Sequence, residues 1–514
     1  MKLLLLAAYF AVLLVIGFKC RRGANSVDGF VLGGRAVGAW LTAFAYGTSY
    51  FSAVVFVGYA GQFGWKYGIS ATWAGIGNAL IGSLLAWTIL GRRTRLLTQH
   101  LNASTMPEFF GRRFDSRALK LVASVIIFVF LVPYTASLYN GLSRLFGMAF
   151  SIDYSVCIIL MSVLTAVYVI AGGYLATAIN DFIQGIIMLF GLVAVIVAVI
   201  LSKGGLTAAL DGLARVSDPA VATTPGIFAS FLGPDPLNLL FVVILTSLGT
   251  WGLPQMVQKF YAIKNEDAVR KGTVISTLFA FVIAGGCYFL GGFGRLFGDK
   301  LGGAVGVPKG GFDAIVPAML QDLGPGLIAL TVILVLSASM STLSSLVITS
   351  SSTLTTDFIK ESFAKRMEQK TEVLTIRVFV VVFIAISAVL ALVQHKSSVT
   401  FIAQLMGISW GALAGSFLAP FLYALYWKGT TKAACWASFL FGSGIMVVDM
   451  VARDALPPLL RSPINCGAIA MLAGFVIVPV VSVLTRAPDR RFTDALFACY
   501  DRPHPVAAKT ALAD

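Results

Sequence analysis

The chain has 514 residues, of which 58% are hydrophobic and only 12% are charged, and its mean hydropathy is +0.88. A soluble domain carries about twice that share of charged residues, so the composition excludes a soluble protein. It predicts an all-α polytopic membrane protein. The net charge of +15 does not indicate nucleic-acid binding, because the basic residues are concentrated in alternate loops between apolar segments.

Runs of about 20 apolar residues mark the candidate transmembrane helices, because that length crosses the hydrocarbon core of a bilayer. The first run ends in Lys19-Cys20-Arg21-Arg22 without a small-residue cleavage site, so we predict a retained helix and not a signal peptide. In chain order the thirteen predicted segments are residues 3–18, 38–62, 68–90, 119–147, 153–172, 178–201, 238–262, 272–297, 326–357, 373–393, 400–427, 433–452 and 466–486.

The distribution of lysine and arginine predicts the orientation of these segments. If the N-terminus is outside, 27 of the 38 basic residues lie in the loops and tail on the inside, among them Lys259 at the end of segment 7. The positive-inside rule therefore predicts an external N-terminus, a cytoplasmic C-terminus and a multi-pass location in the cell membrane. No loop is long enough to form a soluble output domain.

Motifs for catalysis and for metal binding are absent from the sequence. The six cysteines are scattered without CxxC spacing, and the three histidines are isolated from one another. Neither pattern forms a disulfide framework or a metal cluster, and no nucleophile triad or phosphate loop is present. We therefore expect no enzymatic activity and no cofactor.

Segments 2 and 7 are both interrupted by residues that weaken helices. These residues are Gly47, Gly58 and Gly61 in segment 2, and Gly249, Gly252 and Pro254 in segment 7. The two segments lie five apart, and an odd offset reverses orientation in the membrane. Two five-helix units of opposite topology, each opening with a broken helix, are typical of secondary transporters. Broken helices also occur in channels, and glycines also serve close helix packing, so both alternatives stay open.

Segment 9 ends in a stretch rich in hydroxyl groups. Residues 337–357 contain thirteen serines and threonines in twenty-one positions, directly after the apolar run at 327–336. Ser337, Ser341, Ser344 and Ser345 share one helix face. Neutral oxygens are the ligands that a hard cation such as sodium prefers. The alternative is ordinary helix packing, in which serine and threonine are common.

Asp181 is the most informative single residue. It lies near the start of segment 6, at the predicted cytoplasmic end. One interpretation is an interfacial charge that the helix dipole favours at a helix N-terminus. The other is an anionic ligand for a cation that also contacts the hydroxyls of segment 9.

Several motifs, in this order and spacing, resemble the sodium/solute symporter family, which contains the sodium/proline, sodium/pantothenate and sodium/glucose symporters. They are Phe30-Val-Leu-Gly33-Gly34-Arg35, Gly172-Gly173-Tyr174-x-Ala176, Asp181-x-x-Gln184, Gly252-Leu253-Pro254, Lys259-Phe260 and Ser341-Thr342-Leu343-Ser344. The resemblance spans about residues 1–487 and implies the leucine-transporter type of fold. The implied units are an extra helix and loop at 1–37, a first repeat at 38–237, an inverted repeat at 238–427, and two final helices with the tail at 428–514.

The resemblance also implies two sodium sites. The site shared across the family would use the backbone carbonyls of Thr48, Phe51 and Ala338 and the hydroxyls of Ser341 and Thr342. Some family members hold a second sodium ion through an aspartate and further serines of segment 9. The matching residues here are Asp181, Ser341, Ser344 and Ser345.

The implied substrate is a small carboxylate-bearing solute, such as a monocarboxylate, pantothenate or an amino acid such as proline. Tyr134 matches a substrate-contacting tyrosine of the proline symporter, but Thr246, Thr250 and Tyr50 depart from its pattern. The predicted substrate-binding side chains are Ser49, Tyr50, Tyr134, Thr250 and Trp251. The predicted function is therefore sodium-coupled import by a monomer whose partners are solute, sodium and lipid, without nucleic acid. The alternatives are a sugar symporter of the same family, a sodium-permeable channel and a solute sensor.

Overall fold

The computed structural model describes residues 2–21, 23–150, 153–221, 224–396 and 402–501. Within these ranges the regular elements are helices, as the composition predicts, and no strand occurs. The α-helices are α1 (Lys2–Cys20), α2 (Val27–Leu32), α3 (Ala39–Tyr50), α4 (Ala60–Tyr67), α5 (Thr72–Gly77), α6 (Arg92–His100), α7 (Met106–Arg113), α8 (Arg117–Phe150), α9 (Tyr154–Ser202), α10 (Leu206–Ala214), α11 (Pro236–Gly252), α12 (Pro254–Ala262), α13 (Glu266–Ala280), α14 (Gly286–Gly291), α15 (Ile315–Leu320), α16 (Pro325–Ser352), α17 (Lys360–Phe363), α18 (Gln369–Lys396), α19 (Ile402–Tyr426), α20 (Lys432–Val451), α21 (Pro463–Leu484) and α22 (Arg490–Phe497).

Shorter helical turns continue or connect these helices. The π-helical stretches are Val54–Tyr59, Asn78–Leu85, Trp87–Gly91, Phe281–Gly285 and Thr353–Ile359. The 3₁₀ turns are Gly23–Asn25, Gly33–Arg35, Gly68–Ala71, Ile227–Ala229, Gly294–Leu301, Phe312–Ala314, Arg453–Ala455, Pro458–Arg461 and Ala498–Tyr500.

Three interruptions shape the helical bundle. The first follows α3, where Phe51 is extended with φ −94° and ψ 118°. The second is Leu253, also extended, which separates α11 from α12 with a bend of 45°. The third lies inside α9, where Gly173 adopts φ 58° and ψ −152°, a conformation that only glycine adopts without strain. Segments 2 and 7 are therefore broken, as predicted.

The number of membrane crossings differs from the predicted count. In the described part of the chain, nine helical stretches are long and apolar enough to cross a membrane, and the bent pair α11–α12 makes ten. The count of thirteen is not confirmed. Part of the difference arises because Val54–His100 and Tyr154–Ser202 each count as one stretch, although each joins helices across a non-helical glycine, Gly68 (φ 65°, ψ −143°) and Gly173 (φ 58°, ψ −152°).

A backbone bridge fastens the two broken spans to each other. Val37, just before α3, pairs with Ile263, just after α12. The Val37 amide donates to the Ala262 carbonyl at 3.2 Å, and the Lys264 amide donates to the Val37 carbonyl at 3.0 Å. The beginning of the first broken span therefore lies beside the end of the second.

Close helix packing depends on glycine at several crossings. A Cβ atom on Gly64 would lie 1.9 Å from the Gly291 carbonyl oxygen, and one on Gly291 would lie 2.0 Å from that of Ala60. The backbones of α4 and α14 thus approach more closely than any side chain would allow. Helix association in membranes relies on this kind of contact, because lipid supplies no hydrophobic force between helices.

Candidate ion and substrate site

The interruption after α3 exposes backbone oxygens in the protein interior. Because Phe51 is extended, carbonyls of the last turn of α3 lack the amide partners that a continuing helix would supply. Thr48 is completely buried and Phe51 is 1% exposed. Both carbonyls face α16, and the Ala53 amide donates to Ser339 Oγ of that helix at 3.1 Å. The break therefore directs carbonyls that lack helical amide partners toward the hydroxyl groups of α16.

The hydroxyls of α16 meet these carbonyls. Ser341 Oγ lies 3.0 Å from the Thr48 oxygen and 3.0 Å from the Ala338 oxygen. Thr342 Oγ1 lies 3.0 Å from the Thr48 oxygen, 3.3 Å from that of Phe51 and 3.1 Å from that of Ala338. The five oxygens predicted for the shared sodium site are thus brought together.

This group has the chemistry of a sodium site. It offers three carbonyl and two hydroxyl oxygens, all neutral and all buried, from two different helices. A hard cation prefers such oxygens, and a buried arrangement of them removes its hydration shell selectively. The residues present therefore fit the ion.

Asp181 lies in the second half of α9, after the Gly173 interruption. It is 0% exposed, and neither carboxylate oxygen has a hydrogen-bond partner among the described residues. A solvated interfacial charge at a helix end would be wet, so this burial argues against that interpretation. An unpaired buried carboxylate costs free energy unless a cation compensates it.

A lysine lies where the second sodium site was predicted. Lys259 Nζ of α12 donates to Ser345 Oγ at 3.0 Å, and Ser345 Oγ lies 2.9 Å from Ser49 Oγ. Lys259 is only 2% exposed, so its assignment to a cytoplasmic loop is wrong. The sequence carried a signal, because Lys259 falls inside predicted segment 238–262. Ser344 Oγ donates locally to the Ser341 carbonyl at 2.8 Å.

Tyr134 lies in a buried group of polar side chains that lack partners. Its hydroxyl lies near Trp410 and Ser52 but forms no hydrogen bond of good geometry with a described residue. Its ring makes a T-shaped contact with Trp410 at 6.0 Å between centroids. Three further buried polar atoms without a partner are Trp410 Nε1, the Tyr59 hydroxyl and Gln62 Oε1. Tyr59 lies close to Tyr134. The prediction missed Tyr59, Gln62 and Trp410, although the first two closely follow the break.

The other predicted substrate residues are not brought to Tyr134. Ser49 contacts Ser345 instead. The Thr250 hydroxyl donates to the Gly82 carbonyl at 3.0 Å, and the Trp251 indole donates to the Ile81 carbonyl at 2.9 Å. These two side chains fasten α11 to the π-helical stretch Asn78–Leu85. The side chain of Tyr50 lies outside the described part of the structure.

A cavity of about 1930 Å³ opens at the end of the molecule where the predicted inside loops meet. Leu175 and Ile179, which precede Asp181 on α9, form part of its wall. Its charged lining residues are Lys19, Asp28, Arg35, Arg95, Glu108, Arg112, Lys264, Asp267, Lys271, Lys360 and Glu372. The basic residues of that lining all belong to loops predicted to be cytoplasmic.

Comparison with known proteins agrees with this geometry. Residues 30–442 match the model of the Sodium:solute symporter family. The chain belongs to this family. A sodium/proline symporter of Staphylococcus aureus is 30% identical over 498 residues, which cover 94% of this chain and 93% of the relative. The family assignment makes the chain a membrane transporter.

Solved structures show the same fold. A sodium-coupled sialic acid symporter in a substrate-bound outward-open state has a TM-score of 0.71 at 16% identity, covering 95% of this chain and 99% of that protein. A manganese transporter of Eremococcus coleocola has a TM-score of 0.51 at 14% identity, covering 88% and 95%. The fold of this sodium:solute symporter is thus that of leucine-transporter-type carriers.

Proposed function

We propose that this sodium:solute symporter imports a small carboxylate-bearing solute, driven by sodium, through alternating access. The single observation that carries the proposal is the convergence of five buried oxygens from Thr48, Phe51, Ala338, Ser341 and Thr342. The name of the Staphylococcus aureus relative supports sodium coupling and adds proline to the candidate solutes.

Sodium coupling is tested by removing one oxygen at a time. Ser341→Ala and Thr342→Ala each delete a hydroxyl ligand, so the sodium concentration for half-maximal uptake should rise about tenfold or more, if a ligand contributes about 1.4 kcal/mol. Uptake into proteoliposomes at varied sodium concentration measures this value. Thr342→Ser is the matched control, because it keeps the hydroxyl and should change the value little. Unaltered sodium dependence in both alanine variants would remove this site from the mechanism.

A second sodium ion near Asp181 would give the carrier more driving force. One sodium ion crossing 100 mV gains about 2.3 kcal/mol, and a tenfold gradient adds about 1.4 kcal/mol. A monoanionic solute entering with one sodium moves no net charge and forfeits the voltage contribution, which a second ion restores. In the same uptake assay we expect a sodium Hill coefficient above one, lowered toward one by Asp181→Asn. A wild-type coefficient of one would contradict the second ion.

The solute pocket is proposed around Tyr134, Tyr59 and Trp410. Two hydroxyls and an indole N–H can donate to a carboxylate without supplying a fixed positive charge. The broken segments 2 and 7 add backbone groups and helix ends at the breaks, which suit an anionic group at mid-membrane depth. An uptake screen with proline, pantothenate, lactate and glucose identifies the class. Accumulation of glucose alone would favour the sugar-symporter alternative.

A channel or a solute sensor would use the same broken helices differently. Neither of them accumulates solute against its gradient. Uphill accumulation in proteoliposomes that disappears when the sodium gradient is removed supports the carrier. Sodium conductance without solute accumulation would establish a channel instead.

We also propose thirteen membrane crossings arranged as two inverted repeats of five helices, with the N-terminus outside and the C-terminus in the cytoplasm. The bridge between Val37 and Ile263 supports inversion, because it sets the start of one broken span beside the end of the other. The basic lining of the cavity supports the orientation, since such residues stay on the cytoplasmic side. The carrier works as a monomer in the cell membrane.

A further inference from the structure

Lys259 lies in a buried polar compartment, formed with Ser345, Ser49, Tyr174 and Asp181, next to the shared sodium site. It lies on α12, five residues after Pro254 begins the second half of the broken span. Its ammonium donates to Ser345 Oγ at 3.0 Å and lies 5.0 Å from the centre of the Tyr174 ring. Both contacts are suited to a cation, because a hydroxyl oxygen and an aromatic face each carry negative potential.

The counter-charge of this lysine is Asp181. The two side chains interact electrostatically, yet neither Asp181 oxygen has a hydrogen-bond partner in the described structure. Both residues are almost completely buried, at 0% and 2% exposure. In such an environment the attraction between opposite charges acts across several ångströms. The ammonium therefore compensates the carboxylate while leaving its oxygens free.

Ser345 is where the lysine and a sodium ion would compete. Its oxygen accepts a hydrogen bond from the Lys259 ammonium. A sodium ion bound between Asp181 and Ser345 would need that same oxygen and would lie beside a like charge. Two cations that contact the same oxygen lie within a few ångströms of each other, and at that distance they repel strongly in a buried site.

We propose that Lys259 is a tethered cation that competes with sodium for Asp181 and Ser345. The proposal rests on the proposed sodium symport with a second ion near Asp181. Lys259 neutralises Asp181 while the second ion is absent, and its ammonium leaves Ser345 when that ion binds. The compartment then never holds an uncompensated carboxylate. Leu175 and Ile179, which precede Asp181 on α9, line the large cavity.

Equilibrium binding of radioactive sodium to the purified full-length protein tests the competition without measuring transport. Lys259→Met removes the competing charge but retains much of the side-chain length. We expect its half-saturating sodium concentration for the Asp181-dependent ion to fall about tenfold or more, since a like charge a few ångströms away is removed. Lys264→Met is the matched control, because that lysine lines the cavity and its removal should leave sodium binding unchanged.

The double variant identifies the partner of the lysine. In the Asp181→Asn background, Lys259→Met should no longer tighten sodium binding, because the carboxylate that attracts the ion is gone. Lys259→Gln loses the charge and keeps a donor for Ser345, so it tests the same step if Lys259→Met does not fold. Sodium should also raise the thermal stability of Lys259→Met and Lys259→Gln more than that of the wild type.

The outcomes separate this proposal from the proposed function. If the wild type binds sodium and Ser341→Ala weakens binding, but charge removal at Lys259 weakens binding or leaves it unchanged, the competition is wrong and sodium coupling stands. Equal tightening with and without Asp181 would also overturn the competition. If the wild type binds no sodium, the proposed function itself fails.

Discussion

Buried polar side chains in this carrier differ in whether they form a hydrogen bond within the protein. Thr250 and Trp251 donate to backbone carbonyls, so their polarity is used within the protein. The Tyr134 hydroxyl and the Trp410 indole have no such partner, although both side chains are buried. A buried donor without a partner costs free energy, and a bound ligand that accepts a hydrogen bond from it recovers that free energy.

Tyr134→Phe therefore separates binding from stability. We expect the solute concentration for half-maximal uptake to rise about tenfold, because a hydrogen bond to a charged group contributes about 1.5–3 kcal/mol. The melting temperature should fall little, since the deleted hydroxyl forms no hydrogen bond of good geometry with its polar neighbours Trp410 and Ser52. Tyr423→Phe is the control, because its hydroxyl donates to the Phe475 carbonyl at 3.1 Å and its loss should lower stability alone. Unchanged solute dependence in Tyr134→Phe and Trp410→Phe would place the pocket elsewhere.

At the scale of elements, the sequence predicted the breaks better than their surroundings. Gly249, Gly252 and Pro254 were sufficient to predict the interruption of segment 7. The partners of Thr250 and Trp251 could not be predicted, because the rotation of α11 depends on packing against residues about 170 positions earlier. Lys259 was misplaced for a related reason. A positive-inside count treats every lysine near a segment end as solvated and cannot detect a buried counter-charge such as Asp181.

The crossing of α4 and α14 gives a prediction for packing. Gly291→Ala forces a methyl group to within 2.0 Å of the Ala60 carbonyl oxygen, so the helices must separate. Overpacking of this kind typically costs about 1–3 kcal/mol, and we expect a lower melting temperature of the purified protein. Gly285→Ala is the control, since a Cβ atom there has no atom of another element within 4 Å. Equal melting temperatures for the two variants would mean that the crossing is less tight than its backbone distances indicate.

At the scale of the whole molecule, composition and motifs predicted the helical fold and the family. The resemblance also grouped Thr48, Phe51, Ala338, Ser341 and Thr342, whose oxygens lie together in the structure, and their role as a sodium site stays a prediction. The number of crossings was less predictable. Val54–His100 and Tyr154–Ser202 each turn at a glycine, Gly68 and Gly173, so one uninterrupted apolar stretch does not correspond to one straight helix.

Orientation is the prediction that belongs to this scale. An epitope tag fused to the C-terminus should be inaccessible to antibody in intact cells and become accessible after permeabilisation, because the basic residues around the cavity retain that side in the cytoplasm. A tag inserted in the loop at 298–325 should show the opposite behaviour. External labelling of the C-terminal tag would contradict the predicted orientation and would mean that the cavity opens to the outside.

The bridge between Val37 and Ile263 has a mechanical consequence. It joins α3, which carries Thr48, to α12, which carries Lys259, through two backbone hydrogen bonds. Two backbone hydrogen bonds resist sliding of the two segments past each other, so a tilt of α3 would be accompanied by a tilt of α12. If an ion bound at Thr48 displaced α3, the bridge would transmit that displacement to α12 and Lys259 through the backbone. Because the bridge uses only backbone atoms, it tolerates changes of side chain at positions 37 and 263. The sequences of the two broken segments can therefore diverge while α3 and α12 still move together.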